Sequence, residues 1–348
     1  MQKFLLGNSN FLFETYINVE KEDVQDLFNK IEYKILNKNL TLVNAYIFTS
    51  YDLDIVDKFV YDYNINLIFS REDNKFNIQI IYLENDNESS ISLIKESGKI
   101  HGINIKNELV NTLYVNNFYI KIGSFEEQTS YIYNNLFNLY KELGYTNNDF
   151  IKAWNFIPEI LENYDDFNIE RNKQFKKEGI ISNYPAGTGI DCILKQNIKH
   201  LANFLFIKTL TNDIVIENIS SKLQCDAECY GPKFSRAKLI KSKLDKNDIL
   251  FISGTAAVDE SGNSIFTENI EENIKYTFKS IENLLSQAQM NFDNIVSSFV
   301  YIKNKKYYDI FLEIYRENNC KFPYIYNFCD ICRDDFLFEI ECIAVKSY

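Results

Sequence analysis

Between Cys329 and Val345 the chain reads CDICRDDFLFEIECIAV, and its residue types suit acid–base and anion chemistry. Two carboxylates, Glu339 and Glu341, stand in a run that is otherwise apolar from Phe336 to Val345. Strand alternation puts Leu337, Glu339 and Glu341 on one face. A carboxylate there costs free energy unless something pairs with it or its pKa rises. A raised pKa is what a general acid working near neutral pH needs. Glu339, flanked by Phe338 and Ile340, is therefore the expected proton donor, with Glu341 as second choice. The plain alternative for either is a structural ion pair. Cys332, next to Arg333, is expected to be a thiol biased toward thiolate, the alternative being a small apolar filler.

Only five of the 37 Lys and Arg residues are arginine: Arg71, Arg171, Arg236, Arg316 and Arg333. The abundance of Asn, Ile, Lys and Tyr reads as an A/T-rich coding bias. Where such a chain keeps arginine, a planar two-pronged fork is needed, because lysine cannot replace it at a carboxylate clamp. Arg333 and Arg236 are the expected clamps. Arg171 is a third, set against a helix-surface pair with Glu170 or Asp166. Arg316, inside Tyr315-Arg316-Glu317, takes the surface reading. Tyr230 is either a ligand for a hydroxyl or carboxylate, or a buried structural tyrosine.

Composition bounds the rest. The 348 residues are enough for two domains of ordinary size, and 46% hydrophobic with 15% aromatic content describes a globular core. A net charge of −12 argues against general affinity for nucleic acid or anionic membrane, so an anionic substrate must be drawn in by a local basic site. No apolar run approaches membrane-spanning length, and MQKFLLGNSNFLF lacks a cleavage site. Seven cysteines are then expected as reduced thiols in a cytoplasm. Cys225/Cys229 and Cys329/Cys332 have zinc-compatible spacing but no glycine knuckle, and His101 and His200 are the only histidines. No metal and no cofactor are expected. Gly187-Thr188-Gly189 lacks the Gly-Lys-Ser/Thr of a phosphate loop and reads as a turn lining a domain interface.

These side chains need a scaffold. In the second half, Leu250–Ser253 and Ser264–Phe266 read as a strand pair, 271–289 as a helix with Ile274, Phe278, Ile281 and Leu285 on one face, and Ile295–Ile302 as a strand. A helix over Tyr307–Glu317 and strands Pro323–Phe328 and Phe336–Val345 complete the order ββαβαββ. The first half repeats its middle: Glu126-Glu127 matches Glu271-Glu272, and Asp149, Tyr164 and Phe167 match Asp293, Tyr308 and Phe311. Residues 1–110 alternate strand-like runs with Asn/Asp-rich turns and carry no chemical motif. The expected division is an N-terminal domain 1–215, a connecting segment 216–245 and a C-terminal catalytic domain 246–348.

Ile252-Ser253-Gly254-Thr255-Ala256, Asn283-Leu284, Val300-Tyr301 and Glu339-Ile340-Glu341 resemble the RidA/YjgF family. The resemblance implies an α+β, chorismate-mutase-like fold, with mixed sheets carrying helices on one face and the first domain a degenerate copy. It also adds Ala256 to the substrate wall. The carboxylate-gripping arginine of that family is replaced by Pro323-Tyr324-Ile325, which disfavours a RidA-like enamine/imine deaminase. Four further motifs, spread over roughly 118–348, resemble the chorismatases: Trp154-Asn155-Phe156-Ile157-Pro158, Glu170-Arg171 with Gln174-Phe175, Tyr230-Gly231-Pro232 with Phe234-Ser235-Arg236-Ala237, and Asp330-Ile331-Cys332-Arg333 before Glu339. Asn172 departs from the aromatic expected after Glu-Arg, and Glu178-Gly179-Ile180 replaces an expected Gly-Arg.

The chorismatase resemblance implies cleavage of the enolpyruvyl ether of chorismate to pyruvate. The second product is a hydroxybenzoate or a dihydroxycyclohexadiene carboxylate, and Cys332, seven residues before Glu339, favours 3-hydroxybenzoate. Glu339 and Cys332 are the implied catalytic residues; Arg333, Arg236, Arg171, Tyr230 and Ala256 are the implied substrate contacts. The expected partner is that small molecule, with no nucleic acid or membrane, in a monomer or homotrimer. The rival readings are the deaminase and a non-catalytic binder of an aromatic carboxylate.

Overall fold

The computed structural model describes residues 2–348 apart from 53–55, 57–62, 64, 73, 74, 86, 87, 97, 98, 196 and 245. Its strands form three sheets, and one strand order occurs in each. The first sheet holds β1 (Gln2–Leu6), β2 (Ser9–Val19), β3 (Leu40–Thr49), β4 (Ile65–Phe69) and β5 (Phe76–Glu84) in the order β1-β2-β5-β3-β4, with α1 (Val24–Asn37) between β2 and β3. The second holds β6 (Ser90–Glu96), β7 (Lys99–Lys106), β8 (Val110–Phe118), β9 (Phe150–Phe156), β10 (Ala186–Ile190) and β11 (Leu201–Thr209), with α2 (Phe125–Glu142) and α3 (Ile160–Glu178). Beyond its extra edge strand β6 the order is β7-β8-β11-β9-β10. The third holds β12 (Ile214–Ile219), β13 (Ala237–Ser242), β14 (Asn247–Ala256), β15 (Ile295–Ile302), β16 (Ile325–Phe328) and β17 (Phe338–Ser347), with α4 (Ile270–Gln287) and α5 (Tyr308–Glu317). Beyond β12 its order is β13-β14-β17-β15-β16. In each sheet the last-named pair is parallel and the other shared pairings are antiparallel.

The α+β class with tandem RidA-like units stands as the sequence implied, but the strand order occurs three times, where the sequence repeat suggested two. The additional copy is residues 2–84, whose Asn-rich turns and changed surface hide the repeat. A second correction concerns the first hairpin of the third unit. It is β13–β14; Val258 and Ser264 make only an isolated bridge. β13 lies inside the expected connecting segment 216–245, because Lys238 and Lys241 mask its strand pattern.

Local chemistry sets the helices. Ser124 and Glu127 form a capping box at the start of α2, and Asn269 caps α4. α3 stops at Gly179, whose φ of 79° suits the left-handed cap. Each helix layer packs on its own sheet in a separate core. The opposite sheet faces meet in one shared core about a pseudo-threefold axis, where Tyr46 lies 4.8 Å from Phe299 and 6.0 Å from Trp154, ring to ring. One residue from each unit ties the end of this axis. Arg71 bridges Asp191 of the second unit and reaches Asp330 of the third at 2.7 Å. Among the described residues no helix is long and apolar enough to cross a membrane.

Candidate active site

A cavity of about 500 Å³ lies where the second and third units meet, within the range of small-molecule sites. The third unit supplies Gly254 and Ala256 from β14, Glu339 from β17, and Cys332, Arg333 and Phe336 from the loop before it. The segment before β13 contributes Tyr230, Phe234 and Arg236, and α3 contributes Tyr164 and Asn168. A deeper annex shares Tyr164, Phe234, Gly254, Cys332 and Glu339, and ends on Arg171 and Asn155. All seven residues singled out by sequence therefore line one continuous space. Sequence reasoning missed Tyr164, Phe234, Asn168 and Asn155 as wall residues, although Asn155 and Phe234 lie inside quoted motifs.

Glu339 is 4% exposed, and among the described residues nothing hydrogen-bonds its carboxyl group. Burial first, then the negative charge of Glu341, push it up to about 8, against the pull of Lys152 and Arg236. That value favours the acid form at neutral pH. The backbone makes room for it at the β14 irregularity between Ile252 and Thr255. A Cβ on Gly254 would land on its Oε1, with Cδ at 2.9 Å.

Glu341, two residues along the same face, lies outside the cavity wall, among Lys152, Trp154 and Phe299 of the shared core. Its Oε2 takes Lys152 Nζ at 2.5 Å, Thr188 Oγ1 at 2.7 Å and Trp154 Nε1 at 3.0 Å, and its Oε1 takes the Tyr301 hydroxyl at 2.7 Å. It is a satisfied structural carboxylate, so the second-choice acid drops out on geometry. Lys152, itself buried, went unnoticed in the sequence. Its signal was the one used for Glu339: a charge in an otherwise apolar strand.

Three of the five arginines converge on the cavity, and among the described residues none of them forms an ion pair. Arg171 is 5% exposed. It donates to Asn168 Oδ1 at 2.7 Å and Asn172 Oδ1 at 3.0 Å and lies over the Phe167 ring. The surface-pair reading fails, since Glu170 is bound to Gln174 and Lys173 instead. Arg236 donates from Nε and Nη2 to the Cys225 carbonyl and from Nη2 to the Tyr230 hydroxyl at 3.0 Å. Arg333 lies over the Tyr230 and Phe336 rings, at 4.8 and 5.1 Å, and donates to the Gly262 carbonyl at 2.9 Å. Arg171 and Arg236 are buried and Arg333 half-buried, and buried cations without anions cost free energy unless a ligand supplies the charge. Asp165, the other carboxylate of the wall, is exposed at the mouth.

Cys332 departs from expectation. Burial, with the nearby Glu339, drives the thiol up to about 12 despite Arg333, so it is a neutral thiol and not a thiolate. Tyr164 lies within hydrogen-bond reach of it and is itself pushed well up by burial. Ala256 pairs with Glu339 across β14 and β17. His200, on Thr129 and near Asn155, is a neutral core histidine, lowered to about 3 by burial.

Residues 235–346 match the family described as Endoribonuclease L-PSP. A RutC family protein of Saccharolobus solfataricus is 35% identical over 102 residues, which are 29% of this chain and 81% of that protein. A crystal structure of a chorismatase superposes with a TM-score of 0.70 at 15% identity, covering 99% of each chain; the likeness is one of fold, and it runs the full length. Through its C-terminal unit the chain belongs to the RutC family.

Proposed function

We propose that the cavity cleaves the enolpyruvyl ether of chorismate, releasing pyruvate. The observation that carries this reading is the pairing of a buried, unbonded Glu339, pushed up to about 8, with three arginines that form no ion pair among the described residues, around one space. Chorismate is a dianion with an acid-labile vinyl ether. The guanidinium groups of Arg333, Arg236 and Arg171 match its two carboxylates, and Glu339 supplies the proton. Tyr230 and Ala256 complete the wall. The full-length fold shared with a chorismatase supports the same reading.

In the step we envisage, Glu339 gives its proton to the terminal methylene carbon of the side chain, whose double-bond electrons form the new C–H bond. Positive charge develops on the ether-bearing carbon, next to the carboxylate that Glu339 has become. Water adds to that carbon, and the hemiketal collapses to pyruvate and a ring alcohol, one water consumed. Loss of the neighbouring ring hydroxyl as water then gives an aromatic product. We assign 3-hydroxybenzoate as that product, with the neutral Cys332 thiol, beside Tyr164 in the cavity wall, as the proposed proton carrier. Cys332→Ala is expected to shift the product from hydroxybenzoate toward the diene diol; an unchanged ratio removes the cysteine from the assignment.

The test is incubation with chorismate while pyruvate and the aromatic product are followed together. Pyruvate in step with consumed chorismate is expected. Thermal stabilisation by chorismate without turnover would instead support a binder. Hydrolysis of 2-iminopropionate without chorismate cleavage would support a deaminase, a reading disfavoured by Tyr324, buried in the helix-side core, and Ile325, buried in the shared core. Gly254→Ala is a second check. The added Cβ must displace the Glu339 carboxyl, and misplacement by about 1 Å is expected to cost on the order of 10²-fold in turnover while the fold is kept. Parent-like kcat would show that the acid is not held by this contact.

A further inference from the structure

The three units provide an internal comparison. Gln79 stands across from Tyr46, Asn203 from Trp154 and Glu341 from Phe299, so these positions are equivalent about the axis. Each contacts a neighbouring unit: Ser297 Oγ donates to Gln79 Oε1 at 2.6 Å, Asn203 Nδ2 to the Tyr46 hydroxyl at 3.4 Å, and Lys152 Nζ to Glu341 Oε2 at 2.5 Å. Two of the three joints close with neutral groups. A charged pair is not needed to hold units together.

The same register locates the counterparts of Glu339. They are Asn77, across from Phe48, and Leu201, across from Phe156, as Glu339 is across from Tyr301. Acid and ion pair thus occur together, in one joint of the three. We propose that Glu341, held by Lys152, is a positioning residue whose fixed negative charge keeps Glu339 in its acid form. This rests on the assignment of Glu339 as the proton donor.

The magnitude is adequate. Residues two apart on a strand are about 7 Å apart, and a unit charge at that distance in a partly buried site moves a carboxyl group by about one to two pH units. Lys152 opposes it, as does Arg236, each more weakly than Glu341 acts. The other groups around Glu339 are Tyr301 on β15, Cys329, Cys332 and Arg333 in the preceding loop, and Tyr164 and Arg171 on α3. None of these is a second carboxylate, so Glu341 is the charge that favours the proton.

The test uses Glu341→Gln and the double variant Lys152→Met/Glu341→Gln. The double variant copies the neutral joints and keeps the question open should the single one fail to fold. The readouts are the alkaline limb of kcat/KM and an infrared titration of the Glu339 carboxyl band, identified by its loss in Glu339→Gln. Glu341→Gln is expected to lower both by about one to two pH units, and the double variant to lower them by less. A parent-like limb and band in the double variant would overturn the proposal. The infrared titration needs no substrate, so a silent chorismate assay with a shifted band would reject the reaction and leave this inference standing.

Discussion

Glu339→Gln is expected to lower pyruvate release from chorismate by about 10²–10⁴-fold, the usual loss when a positioned general acid is removed, and yet to leave a more stable protein. The second half follows from proton linkage. Between the carboxyl group's ordinary value and about 8, folded Glu339 holds a proton that the unfolded chain has released. Its contribution to stability is therefore fully present below the ordinary carboxylate range and is lost as pH rises through about 8. Glutamine carries no such dependence and no buried charge. The variant should melt above the parent by a margin that grows from about pH 5 to about pH 8 and then levels off. Thermal melts of both proteins across that range check it. A variant that lost activity and melted lower at every pH would point to a structural role for the carboxylate.

Lys152→Met should have the largest effect on folding. The lysine is 2% exposed, and its ion pair with Glu341 lies at the centre of the shared core. Removing one partner of a buried pair leaves an uncompensated charge, at about 3–5 kcal/mol. Trp154, Thr188 and Tyr301 still donate to that carboxylate, which favours the low end of the range. Lys152→Met/Glu341→Gln should recover most of the loss, since the equivalent joints at Gln79 and Asn203 close without charge. Denaturant unfolding of the two single variants and the double completes the cycle. Additive losses would mean that the pair contributes nothing as a pair.

Much of the site was legible because its chemistry conflicts with its surroundings. A glutamate in an apolar strand and arginines kept in a lysine-rich chain can be seen without coordinates. Lys152 is the same kind of signal, passed over because Phe150–Phe156 also carries the Trp154 motif. Other features were hidden for physical reasons. Tyr164 looks like one more aromatic of a helix face until the annex is seen beneath it. The thiolate expected of Cys332 rested on its neighbour Arg333, but the desolvation of the thiol in the cavity wall, which outweighs that neighbour, is not written in the local sequence. The first unit escaped because strand order is a property of pairing, and its pairings join residues far apart in the chain. Equivalence across the three units then shows in register what identity no longer shows: Asn77, Leu201 and Glu339 occupy one position with three chemistries.

The most direct measurement is kcat/KM for pyruvate release from chorismate as a function of pH in the unmodified protein. With Glu339 as a protonated donor, the profile should be flat on the acid side and fall about tenfold per pH unit above pH ~8, because kcat/KM reports the free enzyme's essential acid. A rate that climbs between pH 5 and 8 would require an ionised base in place of the acid, and would contradict the role given to Glu339.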